Sequence, residues 1–339
     1  MLKEIDQNMR VLESLRQPNG LFLAAPCQET GYGRAVWIRD NIYSSLGFGA
    51  SGRRKAVKVI QGIFDILKRH EYKIDHAIGE RPAHAYQYIH ARYHPETLEE
   101  FWDEWGNKQN DAVGAFLFMT GKLIRKGLCV IRDAGDLRVL NKLVWYLNSI
   151  RYWEDDDHGF WEKEEELHAS SVGACLAGLE AISAFVHVPK HMIRKGRETL
   201  ERLLPRESES KETDLALLSL IYPYDIVTPE QRDAILKDVE AKLVRERGVI
   251  RHFGDYYYNR DGEAEWTMGL PWLAIIYRQL GNMPRYRHYM RKARKAMNPR
   301  GELPELYFAG TADFNENTPL GMSQALYLAA LSGTIESNS

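Results

Sequence analysis

Two short segments set a single carboxylic acid directly behind a bulky apolar or aromatic residue: Phe160-Trp161-Glu162 and Leu303-Pro304-Glu305. A third segment, Trp37-Ile38-Arg39-Asp40-Asn41, joins a cation and an anion behind a tryptophan. Two more combine aromatic rings with polar groups: Glu104-Trp105-Gly106-Asn107-Lys108-Gln109-Asn110-Asp111, and Arg251 with Tyr256-Tyr257-Tyr258-Asn259. Together these residue types can cleave a glycosidic bond with inversion. One carboxylic acid protonates the departing oxygen, and a second carboxylate activates water on the opposite face of the sugar, with the two carboxyls roughly 6.5–9.5 Å apart. The two carboxyls need different surroundings, because the acid must stay protonated while the base stays ionised. A fixed Arg-Asp pair can hold hydroxyls, and aromatic walls can stack on a sugar ring.

Each of these features also has a structural reading. An Arg-Asp pair such as Arg39-Asp40 is often a plain ion pair. Glu162 through Glu166 reads equally as an acidic helix start. Glu302 stands beside Glu305 as a competing carboxylate. The run Glu154-Asp155-Asp156-Asp157 reads as a solvated turn, since no cation-ligand set with a matching glycine is near it. His168 and His252 are expected in structural roles, because the chemistry above needs no imidazole. His84, His90 and His94 share one loop without forming a recognisable metal-ligand pattern, and the three tyrosines at 256–258 can either cover the core or face the cleft.

Helical periodicity marks about twelve stretches and almost no strand. Their expected spans are 2–17, 39–49, 53–72, 109–127, 133–152, 168–186, 189–204, 213–222, 228–247, 265–281, 283–297 and 319–332. Alternate stretches differ in kind. The odd ones are amphipathic with charged faces, as in Pro229-Glu230-Gln231-Arg232-Asp233-Ala234-Ile235-Leu236-Lys237, and such helices have one wet side. The even ones are small and apolar nearly all round, as in Ser170-Ser171-Val172-Gly173-Ala174-Cys175-Leu176-Ala177-Gly178, which requires burial on every side. This alternation predicts an all-α fold, an (α/α)6 toroid of outer and inner helices, with an open solenoid as the alternative. With no linker rich in Gly, Pro or Ser, residues 1–339 are expected to form a single domain. In such a ring every outer-to-inner connection lies at one end, so the five chemical segments should converge on one mouth.

Bulk composition removes other classes. The 45 basic and 47 acidic side chains leave a formal net charge of −2, which offers no general attraction to nucleic acid or to an anionic membrane. No apolar run approaches the roughly 20 residues of a membrane span. The charged N-terminus lacks the apolar core of a signal peptide, and the three cysteines, Cys27, Cys129 and Cys175, show no metal or disulfide pattern. A cytoplasmic location is the expectation, with no cofactor and no metal. Oligomeric state is not legible.

Several of these segments resemble the signatures of glycoside hydrolase family 15, the glucoamylases. Trp37-Ile38-Arg39-Asp40 is similar to that family's Trp-x-Arg-Asp, and Trp105-Gly106-Asn107-Lys108-Gln109-x-Asp111 to its Trp-Gly-x-x-Gln-x-Asp. Trp161-Glu162 and Leu303-Pro304-Glu305 are similar to the segments supplying its acid and its base. Two further stretches, His168-Ala169-Ser170-Ser171-Val172-Gly173 and the run from Leu203 to Asp214, resemble the glucoamylase-like domain of the phosphorylase kinase α and β subunits. The resemblance implies catalytic roles for Glu162 (acid) and Glu305 (base). It implies substrate contacts for Trp37, Arg39, Asp40, Trp105, Gln109, Asp111, Trp161, Arg251 and Trp272. Many glucoamylases carry a second acidic residue after the acid, where this chain has Lys163 followed by Glu164, Glu165 and Glu166. It also lacks the N-terminal β-domain of many bacterial members and any starch-binding module, so granular starch is not an expected substrate. The activity implied is exo-cleavage of α-1,4- or α-1,6-linked glucans or oligosaccharides with release of β-glucose. The alternatives are a glucan-binding or regulatory domain of the kinase-subunit type, or a hydrolase of trehalose or another disaccharide.

Overall fold

The computed structural model describes residues 2–49, 52–103 and 105–332; Glu104 and the two ends of the expected 1–339 domain lie outside them. The outer layer comprises α1 (Leu2–Glu13), α3 (Arg53–Arg69), α6 (Ala134–Ile150), α8 (Lys190–Leu203), α10 (Pro229–Asp238) and α12 (Met283–Lys295). The inner layer comprises α2 (Ile38–Leu46), α5 (Asn110–Arg125), α7 (Ala169–Ile182), α9 (Leu218–Ile221), α11 (Gly269–Gln279) and α13 (Gly321–Ser332). Each inner helix packs on the next, and α13 returns to pack on α2, so the ring closes and the open solenoid is excluded.

Burial follows the chemistry of each stretch. In α8 only Met192, Gly196, Thr199 and Leu200 are buried, a single stripe on a strongly basic helix. In α7 every residue except Glu180 is buried. Close approach of the inner helices depends on small residues. A Cβ on Gly114 of α5 would lie 2.4 Å from the carbonyl carbon of Ala174 in α7, and one on Gly178 would lie 2.4 Å from the Gly114 oxygen. The outer helices α6, α12 and α10 are capped by side chains at their starts. Asp133 accepts from the Asp136 amide, Asn282 from the Arg285 amide, and Thr228 and Gln231 form a capping box with Pro229 in the first turn.

Four expectations are corrected. The helix read over 53–72 ends at Arg69, and a separate α4 (Glu71–Gly79) follows. His70 marks the break, with its Nε2 2.8 Å from the Leu98 carbonyl oxygen. The inner stretch read as 213–222 is one 3-10 turn (Leu215–Leu217) running into the single turn of α9. Its end at Ile221 is within a residue of the expected one, where Pro223 pushes Tyr222 out of helical geometry. The stretch read as 228–247 leaves α10 through a π-turn at Val239–Leu243. Finally, Asp155 and Asp157 are buried, not solvated. Asp155 accepts from Tyr88 Oη, Asn110 Nδ2 and Arg81, while Asp157 accepts from the Asn110 and Gly159 amides and from Ser171 Oγ.

Two small antiparallel ribbons also appear. β1 (Val36–Trp37) pairs with β2 (Arg92–Tyr93), and β3 (Glu265–Trp266) pairs with β4 (Leu306–Tyr307). Each is two residues per strand, too short to leave an alternating signature. β1 runs straight into α2, and β4 begins one residue after Glu305, so both ribbons brace connections at the same end of the ring.

The α5–α7 contact gives a direct test of the ring. Gly114→Val inserts atoms where backbone already stands, and we expect it to destabilise the protein by about 3 kcal/mol. Urea unfolding followed by circular dichroism would measure the loss, and an unchanged midpoint would refute the close approach.

Candidate active site

One cleft opens between the inner-helix N-termini, with a cavity volume of about 50 Å³. Its wall brings together Trp37, Arg39 and Asp40 from the start of α2, Phe160, Trp161 and Glu162 from the connection before α7, and Arg251, Trp266 and Met268 from the approach to α11. Tyr32, Glu305, Leu320 and Met322 complete it.

Arg39 is buried at the cleft floor with its side chain only 4% exposed, and its charge is met from two directions. Nη1 donates to Gln109 Oε1 at 2.8 Å and to Asp111 Oδ2 at 3.0 Å, and Nη2 donates to Glu162 Oε1 at 3.3 Å. The guanidinium also lies 4.4 Å above the Phe160 ring. Asp40 lines the same cleft, where burial pushes its pKa above the ordinary aspartate value against the pull of Arg39.

The two candidate carboxyls sit in different surroundings. Glu162 has a left-handed backbone, φ +62°, uncommon for a residue with a side chain and worth notice where chemistry is suspected. Burial is the main influence on its pKa; with Asp40 adding to it and Arg39 opposing, the carboxyl rises to about 7. Glu305 is fully buried and held on every side. Its amide donates to the Asn317 carbonyl at 3.0 Å, and its own carbonyl accepts from the Thr267 amide at 3.1 Å. Oε1 accepts from Tyr32 Oη at 2.8 Å, while Oε2 accepts from Asn317 Nδ2 at 2.8 Å and from Asn315 Nδ2. Burial is the main influence on the Glu305 pKa and lifts it above the ordinary glutamate value, with the three donors and nearby Arg251 opposing. Glu302, the competing carboxylate, is occupied by Asn298 instead.

Arg251 stands opposite Arg39 in a cage of rings, 4.5 Å from Trp266, 4.9 Å from Tyr257 and 5.2 Å from Trp161. Asp255 grips it with two bonds, from Nε at 2.6 Å and from Nη2 at 2.7 Å. Lys163 also donates to Asp255, at 2.6 Å. Burial pushes the Asp255 pKa up, but the two cations overcome it and hold the carboxyl well below the usual range. Lys163 is therefore committed to an internal ion pair and to the face of Tyr256, 3.6 Å away.

Four expected contacts are placed elsewhere. Trp272 is fully buried, donating Nε1 to the Tyr222 carbonyl at 2.7 Å and packing on Tyr43 and Phe160, so it backs the cleft from the core. Gln109 and Asp111 open α5 behind Arg39, and their acceptor atoms are engaged by that guanidinium. Trp105 stands outside the cleft wall, edge-on to Trp37 with ring centroids 6.3 Å apart, and stacked on His90 and Arg92. Burial and the nearby Lys73 and Arg92 drop the His90 pKa to about 3, so a neutral ring faces Trp105. Beyond Trp105 lies a larger aromatic cavity of about 620 Å³, lined by Tyr72, Tyr86 and Trp102 among others. Of the three tyrosines at 256–258, Tyr257 packs on Trp266 and Arg251, Tyr258 bonds Glu316, and Tyr256 is exposed. Among the described residues no group of three or more His, Cys, Asp or Glu is arranged to hold a metal, and no helix is long and apolar enough to cross a membrane.

Sequence reading did not single out Tyr32, Asn315, Asn317, Trp266 or Asp255. The asparagines follow Glu305 by ten and twelve residues as an Asn-x-Asn pair, and only the folded turn between β4 and α13 shows that both amides reach one carboxylate.

Known proteins place this architecture. The curated relatives include the α regulatory subunit of phosphorylase b kinase from rabbit (Oryctolagus cuniculus) skeletal muscle, 27% identical over 80% of this chain and 27% of the relative. A probable counterpart from Drosophila melanogaster is 29% identical over 66% of this chain and 21% of its own length. The chain thus spans about a quarter of the length of such relatives. Among solved structures, a wild-type glycosidase superposes with a TM-score of 0.81 at 20% identity, covering 97% of this chain and 95% of its own. The glucoamylase of Saccharomycopsis fibuligera superposes with a TM-score of 0.66 at 12% identity, covering 97% and 93%. The family described as Glycosyl hydrolases family 15 matches residues 6–331. With that match running through every helix of the ring, the chain belongs to glycosyl hydrolase family 15.

Proposed function

We propose that this chain is an inverting exo-α-glucosidase that releases β-glucose from the non-reducing ends of α-1,4- or α-1,6-linked glucans or short oligosaccharides. The observation that carries the reading is that Glu162 and Glu305 line one small cleft in unlike surroundings. Glu162 is raised to about 7, suited to carrying a proton, while Glu305, also raised by burial, accepts three side-chain hydrogen bonds that oppose the rise. A structurally similar glycosidase variant was solved in complex with glucose (TM-score 0.78), and a similar bacterial glucoamylase with acarbose (TM-score 0.69), which supports a glucose unit as the occupant here.

In this mechanism Arg39 and Asp40 hold hydroxyls of the terminal glucose, with Trp37 and Trp161 as walls and Arg251 toward the next sugar. Glu162 gives its proton to the glycosidic oxygen as the bond from C1 to that oxygen breaks. Glu305 takes a proton from water while the water oxygen bonds to C1 from the opposite face. The products are β-glucose and a glucan one unit shorter. Glu162 is left as a carboxylate beside Arg39 and Glu305 is left protonated, and exchange with solvent restores both. Gln109 and Asp111 act through Arg39, and no step needs a metal or cofactor.

A second reading follows from the curated relatives, which are named as regulatory subunits: a glucan-binding module with little turnover. Proton NMR of the protein with maltose, isomaltose and maltotetraose separates the two. β-Glucose should appear first, and Glu162→Gln and Glu305→Gln should each lower the rate by about 10² to 10⁴. Saturation-transfer signals from bound sugar without any glucose would replace the enzyme by the binder. A pH profile gives an independent check. The acid must be protonated, so kcat/KM should fall about tenfold per pH unit above the Glu162 value of about 7. The base must be ionised, so the low-pH limb should lie above the ordinary glutamate range, as the raised Glu305 pKa requires. A plateau persisting to pH 9 would remove Glu162 from the acid's role.

A further inference from the structure

The stretch 203–214, which joins α8 to the turn before α9, lines no part of the cleft, yet Glu207, Ser208, Lys211, Thr213 and Asp214 are all buried. Irregular chain of this polarity usually stays at the surface. Here its polar groups are spent on the segments that carry Glu162 and Arg251.

Asp214 is fully buried, and its Oδ1 accepts from Trp161 Nε1 at 2.7 Å, one residue before Glu162. The same oxygen accepts the Ala216 amide at 2.7 Å, which fixes the carboxylate in turn. The backbone beside it reaches the other wall: Leu215 donates to the Arg251 carbonyl at 2.8 Å, and Asp214 bridges to His252 in antiparallel register. Seven residues earlier, Glu207 holds the far side of the acid loop. Its carboxylate accepts from the Ser170 amide at 3.1 Å and from Ser170 Oγ, and it lies 3.4 Å from His168 Nδ1. The His168 ring in turn stands against Gly159, where an added Cβ would lie only 2.7 Å from it.

Between those two holds the loop carries left-handed residues at Gly159 (φ +61°) and Glu162 (φ +62°). Glycine adopts that geometry freely, but for glutamate it is strained, so its surroundings must impose it. Trp161 is the neighbour best placed to do so, because its ring is clamped by Phe160 and Trp266 and its indole N–H by Asp214.

We propose that Asp214 is a positioning residue for the acid: by fixing the Trp161 indole it holds the strained backbone of Glu162 and so aims the carboxyl at the glycosidic oxygen. This rests on Glu162 being the acid, and the test keeps the two ideas apart. A misaimed acid harms substrates whose leaving group needs a proton and spares those whose leaving group departs without one. Asp214→Ala should therefore lose about a hundredfold in kcat on maltose with KM little changed, and far less on α-glucosyl fluoride. Asp214→Asn keeps an acceptor oxygen and should restore most of the maltose rate. The Trp161 indole resonance in a ¹⁵N-labelled sample should move upfield in the alanine variant and return in the asparagine variant.

An equal loss on both substrates, a wild-type maltose rate in Asp214→Ala, or an asparagine variant as impaired as alanine would each overturn the proposal. Should Asp214→Ala fail to fold, Asp214→Ser keeps a small polar group too short to reach the Trp161 indole, and it carries the same expectation and the same refutation. Glu162→Gln is measured alongside. If it fails to spare the fluoride, the acid assignment falls and the proposal with it. If it spares the fluoride and Asp214→Ala does not, only the positioning role falls.

Discussion

A guanidinium cannot be taken out of water without anions and acceptors to meet it, and removing one partner of a buried pair typically costs about 3–5 kcal/mol. Arg39 lies inside the ring under that constraint, and what meets it comes from sequence 70, 72 and 123 residues away: Gln109, Asp111 and Glu162. Satisfying one side chain therefore ties the first turn of α2 to the first turn of α5 and to the connection before α7. Helices α5 and α7 also meet through small residues, so the polar node and the close packing hold the same two helices together. The cleft is what remains on the open side of that node.

Around this floor the charges are arranged in graded fashion. Arg39 shares its charge with Glu162 in a contact of 3.3 Å, whereas Arg251 is fully engaged by Asp255 and ringed by aromatic faces. One arginine keeps a loose bond at the cleft and the other is locked. That Arg39–Glu162 contact lies within the lining of a cavity of only about 50 Å³.

How much of this was legible in sequence depended on what each residue's role required locally. The inner helices were readable because burial on all sides leaves no polar face, as in α7. Trp37, Arg39, Asp40, Trp161, Glu162, Arg251 and Glu305 do meet at one cleft, since alternation of outer and inner helices sends their connections to one end. Trp272 was misplaced because a tryptophan satisfied by a carbonyl in the core and one facing a ligand have the same sequence appearance. The run at 154–157 looked solvated because acidic turns usually are; its buried partners Asn110, Tyr88 and Ser171 come from distant elements. Asn315 and Asn317 carried no signal, because an amide that orients a carboxylate is indistinguishable in sequence from one in an ordinary turn.

The alternation has one more consequence, for the electric field. Because the chain returns through the outer layer each time, the long inner helices α2, α5, α7, α11 and α13 all begin at the cleft end. Each contributes the equivalent of roughly half a positive charge at its N-terminus, and parallel macrodipoles add there instead of cancelling as they would in an up-down bundle. That end of the ring is thus a standing positive potential built from backbone alone. It favours the ionised form of acids buried there, against the desolvation that raises the pKa of Asp40, Glu162 and Glu305. The acids gathered at Asp40, Glu162 and Glu305 supply negative charge there whenever they ionise, so the abundance of acids at this mouth is a counterweight to the architecture that holds it open.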